Sequence, residues 1–411
     1  MNHTRVDLGQ RSESVRRANL SAIVRCLHDD GPQSRSNLVA HTGLTRSAIR
    51  DLVGELVASG LASEDRGVHL GRPGRPSPEV SLVPEAAIAA AFSLGVDTFS
   101  AAVVGLGGQV LGLKRMDRPR AHSTVDQIVD DLAGMLDALT GGRPDLDRLV
   151  GVGVAVAGVV RSRDGFVETA PNLGWTRVPL GSRLAARLDL DVPVLVANEA
   201  DVGVLAEHRR GAAAGIDDVL YIHGEVGVGG GLIVGGRPLE GAAGYAGEIG
   251  HLPFVPDGAP CRCGSFGCWE TEIGTHALLA RAGLPVDAGQ EGIDSLFRAA
   301  EGGDPVALAA IDATARPLGA GLAGLVNIFN PRLVVLGGLC GRIHAYAGDV
   351  IWHELARRSL PAPRSMVSVV PSMLGADAPL IGAAELALEP VLSDPAAPIG
   401  AREDLAELAS A

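Results

Sequence analysis

The chain has 411 residues, of which 46% are hydrophobic and 20% charged, and a formal net charge of −13 at pH 7. This length and composition predict a soluble globular protein of two or three domains. No uninterrupted apolar run reaches 18 residues, which excludes a membrane span, and the polar start MNHTRVDLGQRSESVRR has no apolar signal segment, so we expect a cytoplasmic protein.

The charge is distributed unevenly along the chain. Residues 1–84 carry 11 arginines and nine acidic residues, whereas the remainder carries 24 basic and 39 acidic residues. The asymmetry between segments, rather than the total, governs the choice of partner. An acidic body with a small basic N-terminal segment is compatible with a double-stranded DNA partner that contacts this segment.

Residues 1–83 predict a winged helix-turn-helix DNA-binding domain. Ser34 and Thr45 stand where N-caps of a second and a third helix are expected, and the turn between these helices lies around Gly43. Strands near Leu61 and 80–82 flank the loop HLGRPGRPSPE and give a wing. Apolar residues at near-helical spacing predict the buried faces of the first and third helices: Val15, Leu20, Ile23, Val24 and Leu27, then Ile49, Leu52, Val53, Leu56 and Val57.

The third helix is expected to enter the major groove with its N-terminal residues, as in other helix-turn-helix domains. The candidate DNA contacts are polar residues at exposed positions: Arg46, Ser47 and Arg50 in the major groove, Arg35 and Ser36 near phosphates, and Arg72 and Arg75 of the wing in the minor groove. The alternative for each arginine is a solvated surface cation. One weakly basic domain binds DNA weakly, so we expect a homodimer or homotetramer on a palindromic operator.

From residue 84 onward the pattern changes to α/β. Apolar strands are predicted at 88–94, 101–106, 151–160 and 193–200, with helices at 125–139 and 309–328. Residues 218–236 predict two strands joined by a glycine turn, and 332–338 a strand followed by a glycine turn. Two such halves predict a body of two lobes with a cleft between them. We place the first lobe at 84–198, completed by about 372–390, and the second at 199–371. The Pro-, Ala- and acid-rich tail at 392–411 is predicted to be disordered.

Three of the five cysteines, Cys261, Cys263 and Cys268, fall within eight residues, and His251 lies ten residues before the first of them. Three thiolates and one imidazole are a complete ligand set for a structural Zn²⁺ ion. The alternative is a disulfide or free thiols, but Cys261 and Cys263 are too close in sequence for an easy mutual disulfide. Nothing else in the sequence indicates an oxidising compartment.

Several segments resemble the ROK family, which groups sugar-responsive repressors with sugar kinases. The resemblance lies in GVGGGLIVGGRPLEGAAGYAGEIGH at 227–251 and CRCGSFGCWE at 261–270, together with PNLGW at 171–175 and NIFNPRLVVLGG at 327–338. It spans about 84–390, and the N-terminal domain resembles the one found on the repressor branch. The resemblance implies an α/β fold with an actin-like, hexokinase-type two-lobed body, a sugar in the cleft, and dimers or higher oligomers.

The resemblance also implies which residues contact the sugar. Carried over by position, they are polar side chains able to bind hydroxyl groups: Asn172, Asn198, Glu199, Glu248, His251 and Glu270. One ring nitrogen of His251 would bind zinc while the other faces a sugar hydroxyl. The alternatives are a solvated loop acid for Glu248, a helix N-terminal acid for Glu270, and a turn residue at a strand end for Asn198.

The first phosphate loop departs from that of the active kinases, which have Asp-x-Gly-Gly-Thr where this chain has Ser93-Leu94-Gly95-Val96-Asp97. Ser93 replaces an acid that helps to hold magnesium, Val96 replaces a glycine, and Asp97 adds negative charge where phosphate would lie. Glu199 stands where the kinases have the Asp that acts as general base, one methylene shorter. We therefore expect no catalytic residues and no kinase activity.

These observations predict a sugar-responsive repressor of carbohydrate-utilisation genes that is not an enzyme. The alternative is an ATP-dependent ROK sugar kinase with a fused DNA-binding domain. A third possibility is regulation through a protein partner, with a vestigial sugar site. The identity of the sugar and the sequence of the operator are left open.

Overall fold

The computed structural model describes residues 12–65, 78–95, 98–117, 124–141 and 146–397. Its N-terminal domain contains helices α1 (Ser12–Asp30), α2 (Arg35–Thr42) and α3 (Arg46–Ala58), and a small antiparallel sheet in the order β1 (Gln33–Ser34), β3 (Glu79–Leu82), β2 (Ala62–Asp65). The Ser34 hydroxyl accepts a hydrogen bond from the backbone N–H of Asn37, and the Thr45 hydroxyl accepts one from Ala48. Gly43 ends α2 with φ 68°, a left-handed conformation that suits glycine. The caps predicted from the sequence are therefore confirmed.

Two of the residues expected on the buried helix faces lie outside them. Val15 and Val57 are each 40% exposed, whereas Leu20, Ile23 and Leu56 are buried. Val15 precedes Leu20 by five positions, which rotates it by about 140° around the helix from that residue. The prediction of burial is therefore wrong for these two valines.

The first lobe is built on a mixed five-stranded sheet with the strand order β11-β7-β4-β5-β6. Its strands are β4 (Ile88–Leu94), β5 (Thr98–Gly105), β6 (Val110–Asp117), β7 (Leu149–Val156) and β11 (Val194–Asn198), with helices α4 (Val125–Leu139) and α5 (Leu180–Leu188) packed on it. A second sheet has the order β10 (Trp175–Val178), β9 (Phe166–Ala170), β8 (Val159–Arg161).

The single strand predicted at 151–160 is wrong: the strand ends at residue 156, and β8, which follows it, pairs with β9. A Cβ on Gly158 would lie 2.5 Å from the carbonyl oxygen of Thr169, so this turn requires glycine.

The second lobe has a matching five-stranded sheet with the order β14-β13-β12-β15-β16. Its strands are β12 (Val219–Gly224), β13 (Val228–Val234), β14 (Arg237–Pro238), β15 (Leu333–Gly337) and β16 (Ser368–Pro371). The helices that follow residue 198 are α6 (Glu199–Arg210), α7 (Glu270–Ile273), α8 (Thr275–Arg281), α9 (Gly289–Glu301), α10 (Pro305–Phe329), α11 (Gly338–Arg358), α12 (Pro361–Met366) and α13 (Ala378–Ser393).

Among the described residues, α10 is the one helix long and apolar enough to cross a membrane. Many of its apolar side chains, such as Ile311, Leu318 and Leu322, belong instead to the hydrophobic core of the second lobe. The indole N–H of Trp269 donates to the carbonyl oxygen of Pro317 at 2.9 Å. Partly buried, apolar helices of soluble proteins meet the same criterion. We therefore assign α10 as a core helix.

The C-terminal helix α13 returns to the first lobe and packs against β4 and β7. A Cβ on Gly153 of β7 would lie 1.9 Å from the carbonyl oxygen of Ala383, so the strand needs glycine where this helix crosses it. Leu388 and Leu392 share one hydrophobic cluster with Leu20 of α1. The disordered tail expected from residue 392 is therefore wrong at its start, because burial of Leu392 extends the helix to Ser393. Residues 398–411 lie outside the described residues.

Candidate functional site

The Cys–His cluster consists of His251, Cys261, Cys263 and Cys268, whose ligand atoms all lie within 4.8 Å of one another. Gly264 and Gly267 have φ values of 92° and 65°, which lets the intervening segment turn back on itself. All three cysteines are free, and the Sγ atoms of Cys263 and Cys268 are 3.7 Å apart. Two thiolates bound tetrahedrally to one zinc ion, with bonds of about 2.3 Å, stand about 3.8 Å apart. The cluster therefore has the donors and the spacing to hold a metal ion.

The two ring nitrogens of His251 face different neighbours. Nδ1 lies 3.7 Å from Sγ of Cys261, and Nε2 lies 3.8 Å from Oε2 of Glu248. Burial and a hydrogen bond to Glu270 raise the pKa of the Cys261 thiol well above its ordinary value. A bound cation favours the thiolate, so a metal ion would offset this effect. One ring nitrogen of His251 therefore faces the cluster and the other faces Glu248, and its expected contact with a sugar hydroxyl stays a prediction.

Glu270 connects the Cys–His cluster to the sheet of the second lobe. Its Oε1 accepts a hydrogen bond from the Cys261 thiol at 2.8 Å, and its Oε2 accepts one from the backbone N–H of Val228 at 3.3 Å. It is also the first residue of α7, which agrees with the alternative reading as a helix N-terminal acid. Burial raises the pKa of Glu248, and the Glu270 carboxylate adds to this rise while His251 opposes it.

The loop carrying Glu248 and His251 packs directly on β13. The backbone N–H of Gly230 donates to the carbonyl oxygen of Gly247 at 3.0 Å, and a Cβ on Gly247 would lie 2.1 Å from the carbonyl oxygen of Gly230. The neighbouring Gly231 lies against α6, because a Cβ there would be 2.2 Å from the carbonyl oxygen of Ala200. These glycines therefore allow close packing between the loop, β13 and α6.

Asn198 ends β11 and caps α6. Its Nδ2 donates to the carbonyl oxygen of Gly158 at 2.8 Å, and its Oδ1 accepts from the backbone N–H of Ala200 at 2.7 Å. These two backbone hydrogen bonds agree with the alternative interpretation of Asn198 as a turn residue at a strand end. The next residue, Glu199, is half-buried, and this burial raises the pKa of its carboxyl group to about 7.

Two residues that the sequence analysis did not select, His223 and Glu225, lie beside Glu199. The ligand atoms of the three side chains are within 4.8 Å of one another. Burial lowers the pKa of His223, but the carboxylates of Glu199 and Glu225 outweigh it and raise this pKa to about 9. The sequence contains a signal for these two residues, because a histidine at the end of the apolar strand β12, with an acid shortly after it, is unusual for a buried strand end.

Asn172 reaches the site from the first lobe. Its Oδ1 accepts a hydrogen bond from a guanidinium N–H of Arg262 at 2.8 Å, and Arg262 lies between two cysteines of the Cys–His cluster. Tyr245 of the second lobe makes a similar contact, donating to Glu168 of the first lobe at 3.3 Å. These two hydrogen bonds join the first lobe to the second, and the sugar contacts expected from the sequence stay predictions.

The first phosphate loop is described only in part. Ser93 lies one residue before the end of β4 and pairs with Ala155 of β7. Val96 and Asp97 lie outside the described residues, so their expected effects on phosphate binding stay predictions.

In the N-terminal domain, Arg46, Ser47 and Arg50 are exposed in the first turns of α3. Arg50 donates to the neighbouring Asp51 at 3.0 Å. Ser36 is exposed on α2. Arg35 is half-buried and ion-paired with Glu64 of β2, with Nε and Oε1 2.6 Å apart, and its contact with phosphate stays a prediction. The wing residues Arg72 and Arg75 lie outside the described residues.

The chain is similar to known proteins in sequence and in structure. The ROK family matches residues 89–390. The chain is 26% identical to a xylose repressor of Caldicellulosiruptor bescii, over 93% of this chain and 98% of the relative, and 33% identical to a glucokinase of Streptomyces coelicolor, over 73% and 98%. The crystal structure of a transcriptional regulator of the same family, homologous to the Escherichia coli MLC protein, superposes with a TM-score of 0.74 at 26% identity, covering 93% of this chain and 97% of that one.

Proposed function

The chain belongs to the ROK family, and we propose that it is a sugar-responsive transcriptional repressor rather than a sugar kinase. The matches to the xylose repressor and to the transcriptional regulator each cover 93% of the chain and so include the N-terminal domain. The match to the glucokinase covers 73%. The exposed Arg46, Ser47 and Arg50 give this domain a surface suited to the major groove of operator DNA.

The observation that carries the proposal is the position of α6. The 12-residue helix is capped by Asn198 and begins at Glu199, two of the candidate sugar contacts, and it ends at Arg209 and Arg210. A helix of this length spans about 18 Å. One element therefore connects the candidate sugar site to the surface on which the N-terminal domain rests.

At its C-terminal end, α6 contacts the N-terminal domain through buried charges. Arg210 donates to the carbonyl oxygen of His28 in α1 at 3.1 Å and to that of Gly107 at 2.8 Å. Arg209 donates to Glu385 of α13 at 3.0 Å, and Glu385 also pairs with the ring of His28. A shift of α6 on sugar binding would therefore move α1 relative to the body. A coupling of about 1–3 kcal/mol, roughly 5–150-fold in operator affinity, is enough for such a switch.

We further propose that the Cys–His cluster holds one structural Zn²⁺ ion through His251, Cys261, Cys263 and Cys268. Such an ion supplies structural cross-linking rather than a reaction. It would fix the loop that carries His251 and Glu270 beside Glu248, so that these side chains present a defined set of hydrogen-bonding groups to a sugar.

The sugar would lie between the lobes in contact with the six cleft residues already named, and the partner would be a palindromic operator bound by a homodimer or homotetramer in the cytoplasm. We propose no catalytic role for Glu199, because Ser93 stands where the family's kinases have an acid.

The experiment is a fluorescence-anisotropy titration of the full-length protein on promoter fragments of neighbouring sugar operons, with and without a panel of sugars. A change in operator affinity caused by one sugar supports the proposal, and no effect from any sugar contradicts it. ATP turnover in the presence of a hexose, abolished by Glu199→Gln, would establish the kinase alternative instead.

A further inference from the structure

The side chains of Glu199, His223 and Glu225 meet where α6 begins and β12 ends, and they share no residue with the Cys–His cluster. We propose that these three residues form a second metal site, which takes a divalent cation with a preference for oxygen and nitrogen ligands, such as Mn²⁺. Two carboxylates and one imidazole are donors of this class, in contrast to the thiolates of the first cluster.

The three ligands come from different elements that the fold holds in place. Glu199 opens α6, and His223 is the fifth of the six residues of β12. Glu225 follows that strand in a turn held on both sides: its N–H donates to the carbonyl oxygen of Gly227 at 2.8 Å, and its carbonyl oxygen accepts from the backbone and hydroxyl of Thr275 at 3.0 and 2.8 Å. The donors are thus brought together by backbone contacts.

His223 is the residue that points most directly to a ligand. It is 2% exposed, and its Nδ1 forms a hydrogen bond of 3.0 Å with the hydroxyl of the buried Tyr221. Its Nε2 has no hydrogen-bond partner among the described residues and lies 3.5 Å from Oε1 of Glu225. Metal-binding histidines commonly have one nitrogen fixed by a hydrogen bond while the other binds the ion. Two ligands bound at about 2.1 Å stand about 3.0–3.4 Å apart in octahedral or tetrahedral sites, close to the observed distance.

The charge of the cluster also favours a cation. Two carboxylates beside one buried imidazole are stabilised by a positive partner. A divalent cation supplies that charge, with Nε2 of His223 as a further ligand. Its remaining coordination positions would be open to water or to sugar hydroxyls. This last step rests on the proposed sugar-binding function, whereas the metal site itself does not.

The test is a Mn²⁺ titration of the full-length protein, monitored by electron paramagnetic resonance and calorimetry, in the presence of a stoichiometric amount of zinc. Zinc fills the thiolate cluster first, and Mn²⁺ competes poorly for thiolates. We expect one Mn²⁺ ion per chain. The affinity should fall at least about tenfold in Glu225→Gln and in His223→Asn. The exposed Glu240 lies in the same lobe, and Glu240→Gln should bind Mn²⁺ like the wild type.

The absence of binding at millimolar Mn²⁺ would overturn the proposal, as would an affinity that Glu225→Gln leaves unchanged or that Glu240→Gln lowers equally. His223 is buried, so the partly exposed Glu225 is the principal variant, and a circular-dichroism spectrum like that of the wild type shows that it folds. A protein that binds Mn²⁺ but no sugar would retain the metal site and contradict the proposed function. A protein that binds a sugar but no Mn²⁺ would contradict only the metal site.

Discussion

His28 of α1 and Glu385 of α13 form a buried pair, with Nε2 and Oε2 2.8 Å apart, that joins the N-terminal domain to the body. The other ring nitrogen of His28 accepts a hydrogen bond from the backbone N–H of Gly107 at 2.9 Å. Burial alone would raise the pKa of Glu385, but His28 and the guanidinium groups of Arg210 and Arg209 hold it far below its ordinary value. The carboxylate is therefore charged in the folded protein and depends on its three partners.

The first prediction concerns this carboxylate. Glu385→Gln removes the negative charge and leaves two guanidinium groups without their buried partner, so the free energy of unfolding should fall by about 3–5 kcal/mol. Urea unfolding followed by circular dichroism measures this change. Asp126→Asn is a matched control, because Asp126 forms an exposed ion pair with Arg183, and it should cost less than about 1 kcal/mol. Equal losses of unfolding free energy in the two variants would show that the buried carboxylate stabilises the protein no more than an exposed ion pair does.

The second prediction tests α6 as the connection between the sugar site and the N-terminal domain. Arg210→Lys keeps the charge but cannot reproduce the contacts of the guanidinium group with both His28 and Gly107. Operator binding should persist. The factor by which the sugar changes operator affinity, expected to be roughly 5–150-fold, should become several-fold smaller. Fluorescence anisotropy with and without sugar measures both quantities. An Arg148→Lys control on the exposed surface of the first lobe should respond normally, and a full response in Arg210→Lys would refute this connection.

The third prediction concerns acid unfolding. Arg25 and Arg209 lower the pKa of Glu389 to about 2 against the burial that raises it, whereas its ordinary value is 4.5. A depressed folded-state pKa stabilises the protein fully above pH 4.5, and this stabilisation is lost as the pH falls from about 4.5 toward 2. Between these values, the urea midpoint of Glu389→Gln should depend less on pH than that of the wild type. Urea midpoints that change equally with pH in the wild type and in Glu389→Gln would contradict the lowered pKa of Glu389.

The fourth prediction concerns the Cys–His cluster. Full-length protein should contain one zinc ion per chain by mass spectrometry of the metal, and Cys268→Ser should lose it together with sugar-induced thermal stabilisation, because the loop carrying His251 and Glu270 loses its anchor. Cys26→Ser in α1 is the control and should retain zinc, since Cys26 lies outside this cluster. Full zinc content in Cys268→Ser would exclude the cluster as the metal site.

The fifth prediction concerns DNA. Arg46→Ala and Arg50→Ala should each weaken binding to the operator by about 1–3 kcal/mol, with a smaller effect on unrelated DNA, because an arginine that pairs with guanine supplies sequence discrimination. Arg237→Ala, at an exposed position of the second lobe, should bind like the wild type. Competition gel shifts at fixed salt concentration give both affinities. An equal loss on operator and unrelated DNA would assign these arginines to phosphates instead.

Features that depend on neighbouring residues could be predicted from the sequence. The caps at Ser34 and Thr45 are local hydrogen bonds over three positions, so residue type and spacing are sufficient. The same holds for Cys261, Cys263 and Cys268, which lie within eight residues, and for His251, ten residues before them; the family resemblance added the expected sugar contacts.

Tertiary structure decided the contacts between distant residues. His28 and Glu385 are 357 positions apart, and nothing near either residue in the sequence indicates that the two form a buried contact. Glu199, His223 and Glu225 likewise meet because α6 packs against β12 and β13. The ion pair of Arg35 with Glu64 and the burial of Leu392 were also set by packing. The physical reason is that capping and chelation are short-range, whereas the burial of a charge depends on which surfaces the whole chain brings together.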